Sequence, residues 1–346
     1  MKRRTNPPSS KYVFSGKYDS DFLITPYQRL FIGYSNNRKY RQDGSSGGVG
    51  SELASYILKS GLVDVVVGVG FSKNDPTLPI YQAITSPEDV HKISGSKYVY
   101  MEYKSLLDLL SSYNNEKIAV FVQPCFVKAI RNYQKHKLPN IRYIFSFFCG
   151  YNKAYDGTEY LIKKTKLKKN RISCMSYRWG EYPGGFMVKS KSGKIVHFGK
   201  ECYELVDLMF LKDGCRICPY YMGEGADVVF GDAWVKNLKN GSVIITRNDT
   251  GTNVISNMYS EGKIKLYFLN ENNLVIMHWH NLKFKKYGLS LFLSFLHSVL
   301  STKLAKYLTP FRFMMMLSRF RRKFAIRISV DLREINKNNL ALQPEI

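Results

Sequence analysis

IAVFV at 118–122, FVKAIRNYQKH at 126–136 and IRYIFSFF at 141–148 form the stretch on which the fold turns. Two nearly continuous β-branched and aromatic runs flank a segment with helical spacing. That is the pattern of a strand, a crossover helix and a second strand, with both strands buried on two faces. VDVVVGV at 63–69 is a third run of the same kind. Upstream, Ser45-Ser46-Gly47-Gly48 opens a helix over 49–60, with a serine cap and Gly61 as its stop. Alternation over 22–34 predicts one more strand. The first half therefore reads as α/β with a mixed or parallel sheet core.

Further on, the pattern changes to hairpin strands over 176–198, around Pro183-Gly184-Gly185 and Ser192-Gly193-Lys194. A helix over 201–211 leads to Cys215. Strands follow at 227–230 and 243–247, then a helix over 252–260. Past Asn281 the chain becomes amphipathic, basic and helical. The expected portions are a basic N-terminus 1–21, an α/β portion 22–150, an α+β portion 151–282 and a basic helical C-terminal region 283–346.

A chain of 346 residues with 45% hydrophobic and 14% aromatic content specifies a folded protein rather than a disordered one. The basic start is not followed by an apolar segment of signal-peptide type, and the longest apolar stretch, 288–301, is too short and serine-rich to span a bilayer. A cytoplasmic location is expected, where six cysteines serve as thiols or metal ligands rather than disulfides.

The net charge is +25, and its excess is concentrated. Lys163, Lys164, Lys166, Lys168, Lys169 and Arg171 form one cluster, and residues 283–327 hold eleven basic residues and no acidic one. A nucleic-acid surface, an anionic membrane surface, a pocket for anionic ligands and plain solvated lysine faces all fit such an excess. No zinc-finger, helix-turn-helix or RNP pattern accompanies it, which argues against nucleic acid. The apolar and basic residues of 288–323 suit an interfacial helix, making the chain a peripheral guest on an anionic inner-membrane leaflet; packing on the α/β core suits them equally.

Cys215-Arg216-Ile217-Cys218 places two thiols at chelating spacing, with Pro219 following as in bacterial iron–sulfur runs. Redox dithiols and zinc knuckles share that spacing. Cys125 and Cys149 each follow a predicted buried strand, at the strand ends where ligands gather in parallel sheets. If those strands are neighbours, the four cysteines suit a [4Fe–4S] cluster or structural zinc; the alternative is that Cys125 and Cys149 are small buried hydrophobes. Cys174 and Cys202 read as structural.

Small residues at a helix start, Ser45, Ser46, Gly47 and Gly48, let exposed amides approach a phosphate, or simply cap the helix. Gly95-Ser96-Lys97-Tyr98 offers a turn, a cation and a ring able to stack on a flavin or nucleotide, or is an ordinary loop. Thr246-Arg247 ends a strand and presents a guanidinium suited to phosphate. His278-Trp279-His280 reads as a packed or exposed strand.

Taken in order, these blocks resemble the beta subunit of the coenzyme F420-reducing hydrogenases and dehydrogenases. The resemblance runs from Ser45–Gly48 through Gly61-Leu62-Val63-Asp64, Gly95–Tyr98, Pro124-Cys125, Phe148-Cys149-Gly150 and Tyr177-Arg178. It continues with Cys215–Cys218, Ala226-Asp227, Gly231-Asp232 and Thr246-Arg247. It implies a two-part α/β oxidoreductase holding FAD and a [4Fe–4S] cluster. Ser45, Ser46, Gly47, Gly48, Lys97 and Arg247 would contact the flavin, and Cys125, Cys149, Cys215 and Cys218 would hold the cluster. It further implies an electron-donor protein or reduced cofactor as partner, and, for bacterial relatives, a sugar or lipid-linked sugar substrate in surface polysaccharide biosynthesis. The alternative is a non-catalytic accessory protein of that biosynthesis with a structural metal. No cysteine precedes Cys125, so the ferredoxin-like segment of many members is missing from this sequence.

Overall fold

The computed structural model describes residues 18–200, 206, 209–235 and 238–287. Cys202, most of the helix expected over 201–211 and the basic region after residue 287 lie outside the described residues.

Strand β4 (Ile118–Val122) sits deep in an eight-stranded sheet, and all five of its residues are buried. Its period-two alternation feeds two cores. Ile118, Val120 and Val122 face one layer, while Ala119 and Phe121 face the other. β2 (Val65–Phe71) and β5 (Ile141–Phe147) lie parallel to β4 on either side, as the continuous apolar runs predict. Helix α5 (Pro124–His136) makes the crossover, with Pro124 in its first turn, where a missing N–H costs nothing. β3 (Pro79–Ile84) closes one edge, antiparallel to β2.

The other half of the sheet comes from the two ends of the described chain. β9 (Val228–Val235) runs parallel to β5, and β10 (Leu238–Thr246) returns antiparallel to it. β1 (Arg29–Ser35) lies between β10 and β11 (Ile264–Phe268), antiparallel to both. The sheet is thus continuous across residue 150, where the sequence suggested a change of portion. Helix α3 (Val49–Lys59) and helix α8 (Asp249–Ser260) supply one layer. Helix α9 (Glu271–Lys286) packs in the other, with α5 and α4 (Tyr103–Ser111). β6 (Ile172–Trp179), β7 (Gly185–Ser190) and β8 (Ile195–Gly199) form a small antiparallel sheet, as the hairpin turns predict, packed with α6 (Tyr155–Lys164).

Three local expectations are corrected. The strand expected over 22–34 begins only at Arg29; before it, Ser20–Leu23 forms the short helix α1, whose Asp19 cap accepts from the Phe22 amide at 2.9 Å. Helix α3 is capped by Gly48 in the left-handed region (φ 73°), with no side-chain cap, rather than by serine. His278-Trp279-His280 lies on α9, not on a strand.

Asp227 ties the halves together. The residue is 2% exposed, and its carboxylate accepts from the Ile144 amide (2.7 Å), from Asn248 Nδ2 (2.6 Å) and from the Arg131 guanidinium of α5. Its own amide donates to the Ile144 carbonyl at 2.8 Å. An acceptor removed from such a site strands buried donors, each costing about 1–3 kcal/mol. Asp227→Ala should therefore lower unfolding free energy by about 3 kcal/mol, measured by urea denaturation. Cys174→Ser, at an exposed strand position, should change it by less than about 0.5 kcal/mol.

Candidate functional site

The carboxyl ends of the parallel strands converge on one edge of the sheet. There a cavity of about 560 Å³ is lined by Ser45, Phe71, Ser94, Lys97, Arg178 and Trp179, among others. Phe71 is the last residue of β2, so the cavity sits where an open α/β sheet gathers ligands.

Ser45 faces this cavity, and the three residues after it build the wall behind. Ser46 Oγ bonds Ser242 Oγ at 2.8 Å, and the Gly47 amide donates to the same Ser242 oxygen at 2.9 Å. The Gly47 amide is thus taken up inside the fold rather than offered to a phosphate. A Cβ on Gly47 would stand 2.6 Å from the Gly33 carbonyl, and one on Gly48 2.4 Å from the Tyr40 carbonyl. Both glycines serve close backbone approach, and Gly48 also serves its positive φ.

Lys97 lies on the opposite lip. The residue is half-buried, but its ammonium folds back onto the carbonyls of Ser94 (2.6 Å) and Gly95 (3.1 Å), beside the Phe71 ring. With no anion to offset desolvation, burial pulls Lys97 down to about 7. Arg178 connects the lips. Its guanidinium donates to the Ser45 carbonyl (2.7 Å), Tyr98 Oη (2.9 Å), Asp232 Oδ2 (3.1 Å) and the Pro183 carbonyl. The Ser96 amide donates to Ser45 Oγ at 2.7 Å. Sequence reasoning assigned Arg178 no role; its place in the Tyr177-Arg178 block was the available signal, and β9 runs unbroken through Gly231 and Asp232.

Arg247 is placed elsewhere. Its guanidinium donates to the carbonyls of Ile24, Thr25, Pro26 and Met222, and burial brings it down to about 10. It fastens two loops beneath the sheet and does not line the cavity.

The cysteines approach one another along the same edge. Because β4 and β5 are neighbours, Cys125 at the start of α5 and Cys149 just after β5 emerge side by side. Two further segments bring the CxxC pair. Val99 bridges Lys153 and Lys153 bridges Leu211, so residues 97–100, 151–153 and 211–212 run as adjacent strands of backbone. Lys212 donates its amide to the Asn152 carbonyl (3.1 Å), and the Asn152 amide reaches Cys215 Sγ at 3.5 Å. Helix α7 (Asp213–Ile217) then carries Cys215 to Cys218.

Cys125 and Cys218 interact thiol to thiol; Cys149 and Cys215 act electrostatically on Cys125, and Cys218 acts on Cys149 and Cys215. The contact favours the thiolate on Cys218 and the proton on Cys125. Part of Cys149 meets solvent, yet its sulfur is enclosed, and burial pushes it up to about 12. Burial also raises Cys215. Among the described residues, no three cysteine, histidine or carboxylate side chains stand ready as a closed ligand cage. The set is four neighbouring soft donors at one sheet edge. Cys174 lies exposed on β6, in the small sheet.

His278 is 2% exposed and packs against the ring of Phe148. Its Nδ1 lies 2.9 Å from Tyr221 Oη, which also accepts from Asn281 Nδ2 at 3.0 Å. Burial lowers His278 to about 4, so it stays neutral and structural at physiological pH.

Comparisons with known proteins agree with this architecture. Two parts of the chain match the family described as coenzyme F420 hydrogenase/dehydrogenase, beta subunit: residues 30–108 match its N-terminal part and residues 115–271 its C-terminal part. The chain is 26% identical over 246 residues to the coenzyme F420 hydrogenase subunit beta of Methanococcus voltae, covering 69% of this chain and 84% of that one. It is 25% identical over 252 residues to the same protein of Methanothermobacter thermautotrophicus, again covering 69% and 84%. A rice (Oryza sativa subsp. japonica) chloroplastic 7-hydroxymethyl chlorophyll a reductase is 23% identical over 66% of this chain and 49% of its own length. The fold matches a chain in the structure of the F420-reducing [NiFe] hydrogenase complex from Methanosarcina barkeri, with a TM-score of 0.58, 18% identity and coverage of 89% and 97%. The chain belongs to the coenzyme F420 hydrogenase/dehydrogenase beta subunit family.

Proposed function

We propose that the protein is an FAD- and [4Fe–4S]-dependent oxidoreductase. One observation carries the reading: four cysteines from three distant parts of the chain meet at the same sheet edge as a polar, cationic cavity. Four thiolates are the usual donor set for such a cluster, so the donors fit. The cavity fits a flavin dinucleotide in chemistry, with Lys97 for a phosphate, Phe71 and Trp179 for a ring, and serines for hydroxyls. When bound, the cluster would supply single electrons and the flavin hydride exchange. The chain's own part is to place the two groups on one rigid edge and to hold the cavity lips through Arg178.

An electron-donor protein or reduced cofactor belongs to the same proposal, because a cluster needs a source of electrons. The polar cavity lining also suits a hydroxylated or phosphorylated substrate, the class to which sugar precursors of surface polysaccharides belong. No helix of the described residues is long and apolar enough to cross a membrane. A cytoplasmic protein touching an anionic inner-membrane surface through the basic residues after Tyr287 is the location we propose, on the strength of their charge. Vesicle flotation checks it: the full chain should bind anionic liposomes at low salt, and a chain ending after Tyr287, which keeps helix α9 whole, should not.

Anaerobically purified protein should be brown, absorb near ~400 nm and contain iron, sulfide and FAD. Serine at Cys125, Cys149, Cys215 or Cys218 should each strip the iron, whereas Cys174→Ser should keep it. Colourless protein with one zinc and no iron would remove the redox reading.

Lys97 supplies an independent check. Phosphate binds the protonated ammonium, so FAD affinity should weaken as pH rises above about 7. Lys97→Met should weaken binding about tenfold at pH 6 and flatten this dependence. In the flavin-free chain the sign reverses. Between about pH 7 and the ordinary lysine value of 10.5, the unfolded chain holds a proton that the folded chain lacks. The Lys97 contribution to stability should therefore rise with pH across that window, read as the difference between the natural chain and Lys97→Met in denaturation experiments at each pH.

A further inference from the structure

Helix α9 lays one face on the loops that carry the cysteines. His278, Asn281, Leu282 and Lys285 follow one another at i, i+3, i+4 and i+7, the spacing of a single helical face. His278 and Asn281 both bond Tyr221 Oη, while the Cys149 amide donates to the Tyr221 carbonyl at 3.0 Å. A Cβ on Gly150 would lie 3.5 Å from Asn281 Oδ1. Lys285, one turn further along, is therefore directed to the same place. It is 1% exposed.

A buried ammonium is costly unless an anion compensates it. The local carboxylate, Glu224, pairs with Lys286 instead: its Oε1 accepts from Lys286 Nζ at 2.6 Å and from the Tyr221 amide at 3.3 Å. Among the described residues, no carboxylate lies within ion-pair distance of Lys285. The groups whose charge it favours are the thiols of Cys149, Cys215 and Cys218. Four neutral thiols would leave the ammonium uncompensated; a thiolate on Cys218, or an anionic thiolate–metal assembly, would not.

We propose that Lys285 is the charge-compensating residue of the cysteine site, whose fixed positive charge favours the one-electron-reduced, more negative state of the group held there. This rests on the reading that the four thiolates hold a redox cluster. An electron from a one-electron reductant adds one negative charge to the cluster and breaks no bond in the protein. The ammonium lowers the free energy of that product more than that of the oxidised state, so it raises the reduction potential. Lys285 acts through the ligands and touches no substrate, which makes it a positioning residue for charge.

The test compares the full chain with Lys285→Gln and Lys285→Arg, all reconstituted anaerobically with iron and sulfide. Iron content is measured, and the midpoint is read by dithionite titration followed by electron paramagnetic resonance. Lys285→Gln should keep its iron but hold about tenfold less reduced cluster at a fixed potential, a midpoint lower by about 59 mV for one electron. Lys285→Arg should stay within about threefold of the natural chain. If Lys285→Gln folds by circular dichroism but loads no iron, while Lys285→Arg does, the charge serves assembly rather than potential, and the proposal is overturned. An unchanged midpoint in iron-loaded Lys285→Gln overturns the proposal and leaves the cluster reading intact. Equal loss of iron from both variants also overturns it. A natural chain that takes up no iron overturns the cluster reading and this one together.

Discussion

Three residue pairs join β5 to β9, Phe145 to Val228, Ser146 to Val229 and Phe147 to Phe230, and through that narrow seam the parallel and antiparallel halves become one sheet. So short a ladder would be a weak hinge without the carboxylate of Asp227 at its foot. A buried carboxylate is expensive unless every lone pair is engaged. Here strand β5, helix α5 and the start of α8 all donate to it. The functional edge depends on this rivet. Cys149 leaves β5 just beyond the seam, the chain from Cys218 returns to β9 through Tyr221, and Asp232 on β9 anchors Arg178. A change in the β5–β9 register would move all of them.

The parts legible in the sequence were those in which one physical demand dominated. Strands buried on both faces need unbroken apolar runs, so β2, β4 and β5 announced themselves, as did the turn glycines of the small sheet. The proximity of Cys125 and Cys149 followed from strand order alone. Where two demands competed, reading failed. Ser45 and Ser46 look like helix caps, but tertiary partners claim them, and the left-handed Gly48 starts the helix. Only the end of helix α9, past Asn281, was expected to be helical; its earlier part, with His278-Trp279-His280 read as a strand, was missed because buried polar His278 interrupts the apolar stripe that betrays a helix. Arg247 had the residue type and strand-end position of a phosphate ligand, yet its two terminal nitrogens bond backbone carbonyls.

The two halves of the candidate site share an unusual economy of supports. Residues 97–100 begin at the cavity with Lys97 and end at Tyr100, whose ring environment includes Cys125 and Cys215. From the far side, Tyr221 and His278 connect the Cys149 loop towards Asp232 and so to Arg178. Cavity and cysteines are therefore parts of one scaffold rather than separate sites on mobile loops. Short, fixed separation between redox groups is what a rigid sheet edge provides.

The position of β1 has a consequence for how the protein is made. This early strand finds its partners only in β10 and β11, the last two strands of the described chain. Contacts so distant along the chain are slow to form, since a long loop must close before any pairing rewards it. On the ribosome, Leu30, Phe31 and Ile32 therefore wait without strand partners while the parallel units from β2 to β5 can already assemble. Nascent chains stalled before β10 expose an apolar, unpaired edge, so demand for a holdase chaperone should last until β10 and β11 have emerged.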